Sequence, residues 1–301
     1  MIEILANLIL AAILSQFTSN QPQINVSQEN AQISNVYSPQ RKVSPSIGVK
    51  VSAQSLAAAD ENTLQLLYEK NSKEVRSIAS ITKLMTALVF LETNPDMEKE
   101  IIITKDDYRA GNRAYFFEGE RVKVKDLFSV MLIASANEGS AALVRSTGLT
   151  SEEFIKKMND KAQDLGMTQT IFADETGLNN NNKSTASDIL KLAKEAFNHD
   201  EISSVVGLKN YQFEVANNKI KRSVVATDKI LGDDFGYGND SYRILAGKTG
   251  YLDSAGYCFA SKVTNKDGDK TIIVVLGSSG SDTRFNDTKS IAYWVYNNYI
   301  W

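Results

Sequence analysis

The stretch Val75–Glu92, VRSIASITKLMTALVFLE, decides how the rest of the chain is read. Ile81, Leu84, Met85 and Leu88 recur at the three-and-four spacing of an amphipathic helix, which leaves Ser80 and Lys83 about one turn apart on another face. The spacing predicts a helix with Ser80 in its first turn, ending before Asn94-Pro95 because proline disfavours helical backbone in the residue ahead of it. Free backbone N–H groups and the positive end of the helix dipole at that turn favour an oxygen that develops negative charge. Ser80 and Lys83 therefore read as a nucleophile and its base. Taken alone, the pair reads more readily as a helix cap and a solvated charge.

Two further stretches change that balance. Ser135-Ala136-Asn137 follows the helix-like segment KVKDLFSVMLIA (residues 123–134), and Lys248-Thr249-Gly250 ends the apolar run RILAG before a small-residue loop. Alone, the first is an interhelical turn and the second a strand end. Their order, S-x-x-K then S-x-N then K-T-G, is the motif set of penicillin-binding proteins and serine β-lactamases.

Composition narrows the chemistry. With 301 residues, 43% hydrophobic and 23% charged, the chain can bury a sizeable core as one large domain or two lobes. A net charge of −3 without a basic stripe gives no footprint for nucleic acid. There is one histidine, His199, and one cysteine, Cys258. A Ser-His-Asp triad or Cys-His pair would depend on His199, which sits at a polar helix end in KEAFNHD; multi-histidine zinc sites and intrachain disulfides cannot be built. No metal or cofactor is expected. Cys258, in an apolar strand, reads as a small core residue.

In chain order, residues 1–17 are signal-like or an anchor: the run Ile4–Phe17 is apolar but short for a membrane span, with neither a positive n-region nor a small-x-small cleavage site. Residues 18–45, rich in Asn, Gln and Ser with Pro22, Pro39 and Pro45, read as a flexible polar linker. The domain is expected from about Ser46 to Trp301, opening with a β-hairpin that turns at Asp60-Glu61-Asn62. From Ile101 to Phe197 the pattern is mostly helical, with a capping box at Thr150–Glu153 and a stop at Gly166. Beyond Asp200, YQFEV, SYRILAGKT, GYCFASKV and TIIVVLGS read as strands, with Asp267-Gly268 turning between the last two. A closing helix would pack Ile291, Trp294 and Val295 on the sheet. Strands at both ends around a helical middle predict an α/β (α+β) domain, one sheet made from N- and C-terminal pieces with a mainly α lobe inserted.

The blocks IASITKLMTALV, FEGERVKVKDLFSVMLIASANEGSAAL, LGMTQTIFADETGL, KSTASDILKLA and AGKTGYLDSAGYCFA resemble, in order, those of the serine D-alanyl-D-alanine carboxypeptidases, the low-molecular-mass penicillin-binding proteins with their endopeptidase branch. The resemblance covers most of residues 46–301. It implies the β-lactamase/transpeptidase-like fold, a five-stranded antiparallel sheet flanked by helices. It implies that Ser80 attacks a D-alanyl carbonyl to form an acyl-enzyme, that Lys83 is the base, kept uncharged by burial and by a neighbouring cation such as Lys248, and that Ser135 relays the proton. Asn137, Lys248, Thr249, Gly250 and Tyr251 then bind substrate, with backbone N–H groups of Ser80 and Tyr251 holding the oxyanion. The implied partners are peptidoglycan stem peptides, with β-lactam antibiotics as covalent inhibitors. The implied location is extracytoplasmic, the protein being either secreted or attached to the membrane through the N-terminal segment.

Two departures bear on the subtype. Val225-Ala226-Thr227-Asp228 stands where the family commonly carries asparagine, and NNNNK precedes Ser184 where many members have histidine or glutamine. The chain also stops at Trp301, just after its last helix, which leans toward endopeptidase-like or minimal members. Rival readings are a D-alanyl-D-alanine endopeptidase of cross-links, a serine β-lactamase using Glu175 on the deacylating water, and a non-catalytic wall-binding module.

Overall fold

Asp60 caps the turn after the first long strand, its Oδ1 accepting from the Thr63 backbone N–H at 2.8 Å and the Thr63 hydroxyl at 2.7 Å, and the chain doubles back as the expected hairpin. The computed structural model describes residues 38–109, 113–236 and 240–301, all within one compact unit. Its strands are β1 Gln40–Arg41, β2 Ser55–Asp60, β3 Leu66–Lys70, β4 Arg76–Ser77, β5 Glu100–Ile102, β6 Arg121–Lys123, β7 Lys183–Ser184, β8 Asn210–Glu214, β9 Lys221–Val225, β10 Asp234–Phe235, β11 Tyr242–Leu252, β12 Gly256–Asn265, β13 Lys270–Ser278 and β14 Tyr299–Ile300. The expected apolar segment 1–17, and the linker as far as residue 37, lie outside the described residues. The last part of that linker is structured: Gln40 and Arg41 pair with Ile300 and Tyr299, and the Gln65 amide donates to the Pro39 carbonyl at 3.0 Å.

The main sheet is antiparallel in the order β10-β11-β12-β13-β2-β3. The N-terminal hairpin is joined to β13 from Thr271↔Asp60 to Leu276↔Ser55, so the sheet is assembled from both ends of the domain as the pattern predicts. It holds six strands, not five. The sixth, β10, lies in the glycine-rich GDDFGYG, which carries no strand alternation; contacts to β11 create it. Asp234 accepts from Arg243 Nε at 2.9 Å, and the Phe235 ring lies 5.7 Å from that of Tyr242.

Every residue of β2 is buried, as is β13 from Thr271 onward, because helices cover both faces of the sheet. Successive side chains of a strand point to opposite faces. Ile273 and Val275 meet Ile291 and Val295 of the closing helix Thr283–Asn298, with Trp294 in the same cluster. Ile272 and Val274 join Ala57 and Ala59 in a core shared with Leu84, Leu88 and Phe90. The inserted lobe contributes helices Thr82–Leu91, Val124–Ile133, Asn137–Ser146 and Ser151–Asp164. The last begins at the predicted capping box, with Glu153 N–H donating to Thr150 Oγ1 at 3.2 Å and Thr150 N–H to Glu153 Oε2 at 2.8 Å. The region is less purely helical than its periodicity suggests, since β5–β6 forms a short ladder within it.

Candidate active site

Ser80 does not lie in the first α-helical turn. It occupies a 3-10 turn, Ala79–Ile81, and the α-helix starts at Thr82. The preceding Ala79 has φ +49°, the left-handed region that a residue with a Cβ rarely adopts. Among the described residues six non-glycine positions have positive φ, and two belong to this cleft: Ala79 and Ser135, the latter at +61°. Strain of this kind persists where surrounding contacts over-determine it. Here Thr82 Oγ1 donates to the Ala79 carbonyl at 2.8 Å, and β11 presses against the turn. A Cβ on Gly250 would stand 3.0 Å from Ile78 O and 3.1 Å from Ser80 N, so glycine is what lets the strand approach. The Lys248-Thr249-Gly250 segment is inside β11, which continues to Leu252, rather than at the strand end that the sequence suggests.

Lys83 is wholly buried. Its Nζ lies 3.0 Å from Ser80 Oγ, 2.7 Å from Asn137 Oδ1 and 2.6 Å from the Thr176 carbonyl. An uncharged amine has two N–H donors and one lone pair. Asn137 Oδ1 and Thr176 O can only accept, so they take the two hydrogens, and the lone pair is left to receive the Ser80 proton. Burial lowers Lys83 to about 7, against the opposing charges of Asp174, Glu138 and Glu175. Lys248 is the cation beside it, and burial, Lys83 and Arg284 together push Lys248 well below the usual lysine value.

Ser135 and Lys248 face the other end of the cleft, with Lys248 Nζ donating to Ser135 Oγ at 2.9 Å. Thr249 Oγ1 is bonded to Thr227 Oγ1 at 2.6 Å. Asn137 Nδ2 is buried with no hydrogen-bond partner among the described residues, so an incoming carbonyl would satisfy it. Tyr251 is half exposed and stacks on Tyr257 at 4.3 Å. All eight residues singled out from sequence are thus gathered around one cleft of about 420 Å³, whose lining includes Ser80, Ser135, Thr249, Gly250 and Tyr251.

Several cleft residues carried no legible motif. Thr227 enters from the departing VATD segment. Arg284 comes from the start of the closing helix and donates to Gly250 O at 3.2 Å. Glu138 holds the 115–116 backbone, accepting from Tyr115 N–H at 2.5 Å. Glu175, which a β-lactamase reading would need as a base, is ion-paired with Arg109 at 3.2 Å. Cys258 is fully buried with its thiol pushed up to about 11, and His199 ends the Ala186–Asn198 helix. Among the described residues no cluster of His, Cys, Asp and Glu is placed to hold a metal, and no helix is long and apolar enough to cross a membrane.

A sequence profile described as D-alanyl-D-alanine carboxypeptidase, Peptidase S11, matches residues 39–280. A D-alanyl-D-alanine endopeptidase of Haemophilus influenzae is 33% identical over 241 residues, which are 79% of this chain and 80% of the relative. The D-alanyl-D-alanine carboxypeptidase DacF of Bacillus subtilis is 31% identical over 257 residues, 82% of this chain and 63% of the relative. Among solved structures, the Streptomyces K15 DD-transpeptidase superposes with a TM-score of 0.76 at 26% identity, over 84% of this chain and 100% of the other. Penicillin-binding protein D2 of Listeria monocytogenes, with cefotaxime bound, gives 0.71 at 26% identity over 83% of this chain and 100% of the other. The chain belongs to the D-alanyl-D-alanine carboxypeptidase family of serine peptidases, and its fold is that of the penicillin-binding proteins.

Proposed function

We propose that this protein is a serine D-alanyl-D-alanine carboxypeptidase that trims peptidoglycan stem peptides through an acyl-enzyme on Ser80. The observation that carries the reading is the three-way coordination of Lys83 Nζ, which leaves its lone pair directed at Ser80 Oγ. Ser80 Oγ attacks the carbonyl carbon of the terminal D-Ala-D-Ala bond while its proton passes to Lys83 and the carbonyl π electrons move to oxygen. Backbone N–H groups of Ser80 and Tyr251 stabilise that oxyanion. As the C–N bond breaks, a proton reaches the leaving amine through Ser135, and water later hydrolyses the ester. Asn137 Nδ2 donates to the substrate carbonyl. Lys248 and Thr249, with Thr227 and Arg284 beside them, take the terminal carboxylate.

Main-chain pairing orients the substrate. Lys248 and Thr249 hold the carboxylate and Gly250 lies against the Ser80 turn, so the residues N-terminal to the cut extend past Tyr251, Leu252 and Asp253, adding a strand to β11. β-Lactams acylate the same serine. The enzyme works outside the cytoplasmic membrane, with residues 4–17 serving as its export signal or anchor.

Intact mass after incubation with a penicillin, peptide mapping, and D-alanine release from a stem pentapeptide test the reading. One stable adduct on Ser80 together with D-alanine release is the expected result. An adduct without release transfers the assignment to cross-linked peptides and endopeptidase cleavage, the activity named for the Haemophilus influenzae relative. Fast penicillin turnover abolished by Glu175→Gln assigns a β-lactamase. No adduct in folded protein leaves a wall-binding module.

A further inference from the structure

The Thr176 carbonyl is one of the two acceptors that orient Lys83, and the Asp174 side chain gathers much of the backbone around it. Asp174 Oδ1 accepts from Thr176 N–H at 2.8 Å, Gly177 N–H at 2.5 Å and Asn182 Nδ2 at 2.8 Å, while Oδ2 accepts from Asn179 N–H at 2.6 Å. The turn is fastened to the nucleophile's own loop from two sides. Ile78 N–H donates to the Asn182 carbonyl at 3.2 Å. Gly177, at φ +87°, packs so closely that a Cβ there would stand 2.1 Å from Ala79 O and 2.9 Å from Ser80 N.

We propose that Asp174 is a positioning residue of the acylation step: by gathering the backbone of residues 176–179 it holds the Thr176 carbonyl against Lys83 and so directs that amine's lone pair to Ser80. This goes beyond the function proposed above and rests on it. Lys83 is open to such control because its amine rotates freely and its two N–H donors have no preferred direction of their own; the acceptors around it set which way the lone pair points. A displacement of 1 Å at such a centre can cost about a hundredfold in rate.

Asp174 also bears on the charge of the base, since it heads the carboxylates that favour protonated Lys83. The groups facing Lys83 are Asp174 and Glu175 from this loop, Glu138 from the Asn137–Ser146 helix and Lys248 from β11. Arg109 partly neutralises Glu175. Removing the Asp174 charge, or the carbonyl it positions, makes protonation of Lys83 harder, so the acid limb of acylation moves to lower pH. A loop that merely loosens and admits water moves it the other way, toward an ordinary lysine.

The experiment is the pH profile of penicillin acylation, followed by intact mass, for wild type, Asp174→Asn and Asp174→Ala. Asp174→Asn keeps an acceptor for the Thr176 and Gly177 N–H groups but loses the charge and the bond to Asn179. The expected result is a lower-pH acid limb for Asp174→Asn with a moderate loss of plateau rate, and a loss of about ten- to a hundredfold for Asp174→Ala. A wild-type plateau and limb in Asp174→Asn overturns the proposal, and so does a limb displaced to higher pH. If Asp174→Ala fails to fold, the Asp174→Asn profile decides by itself. If the wild type forms no adduct on Ser80, the function proposed above fails and takes this role with it, whereas an acylating wild type with an unmoved Asp174→Asn overturns only the role of Asp174.

Discussion

Two buried lysines face each other across the cleft, and their surroundings differ in sign. Lys83 is enclosed by carboxylates, which counter its burial and leave it near 7. Lys248 has Lys83 and Arg284 as its charged neighbours, and both add to burial in lowering it well below its ordinary value. The first arrangement is complete in itself, an amine lowered to about 7 with its acceptors already in place. The second lacks an anion, and a substrate carboxylate would supply it. Residue type is identical in the two places; the identity of the neighbouring charges separates a proton acceptor from a carboxylate site.

The sharpest break in this comparison is at the nucleophile. Ser80→Ala is expected to abolish covalent penicillin binding while leaving the fold and the Lys248 end intact; an adduct in the mutant, seen by intact mass, would sink the assignment of Ser80. Lys83→Met comes next, with acylation at neutral pH slowed by about 10²–10⁴-fold, the usual worth of a general base. In the wild type the rate should fall as pH drops below about 7, because protonated Lys83 has no lone pair. The same shift has a stability signature. The folded chain holds Lys83 near 7 and the unfolded chain near 10.5, so between those values the unfolded state binds the extra proton and stability rises with pH. Lys83→Met should remove that rise in thermal unfolding, and an unchanged slope would show that Lys83 is charged when buried.

A smaller effect tests the contact between the Thr176 loop and the Ser80 turn. Gly177→Ala combines a disfavoured φ with a 2.1 Å approach to Ala79 O and is expected to cost about 1–3 kcal/mol in denaturant unfolding. Retained stability together with full acylation would mean that the turn yields. On the Lys248 side, where burial and the neighbouring cations lower the amine's pKa, binding of a D-Ala-D-Ala ligand to Ser80→Ala should be accompanied by proton uptake, read by calorimetry in buffers of different ionisation enthalpy. No uptake there would mean that Lys248 is already charged in the free site. The smallest effect belongs to Cys258, whose buried thiol lies at about 11; alkylating reagents should leave acylation of the native protein unchanged, and inactivation would reveal an exposed thiol.

Much of this site was legible in advance because its first members lie in short local motifs. Ser80 and Lys83 are three residues apart, Ser135 and Asn137 two, Lys248 to Tyr251 contiguous, and each set keeps its spacing whatever the fold does around it. The capping box at Thr150–Glu153 and the buried face Ile291, Trp294 and Val295 were legible for the same reason: a helix repeats every three to four residues. Asp174 and Glu138 were not, since an acidic residue in a polar stretch reads as a solvated charge until something encloses it. Thr227 and Arg284 were hidden too, because their partners Thr249 and Gly250 lie 22 and 34 residues away along the chain. Strand β10 escaped notice because pairing with β11, and no pattern of its own, makes it a strand.

The sequence by itself determined which serine and lysine stand one turn apart, the order of the three motifs, a sheet drawn from both chain ends and the family that these imply. Only the tertiary structure decided that Ser80 lies in a strained 3-10 turn instead of a helix, that three carboxylates oppose the effect of burial on Lys83, and that the Thr176 carbonyl lies against its amine. The physical reason is range. Backbone periodicity and motif spacing act over a few residues, whereas the desolvation and charge that set an amine's basicity come from groups brought together across 54 residues at Asn137 and 93 at Thr176.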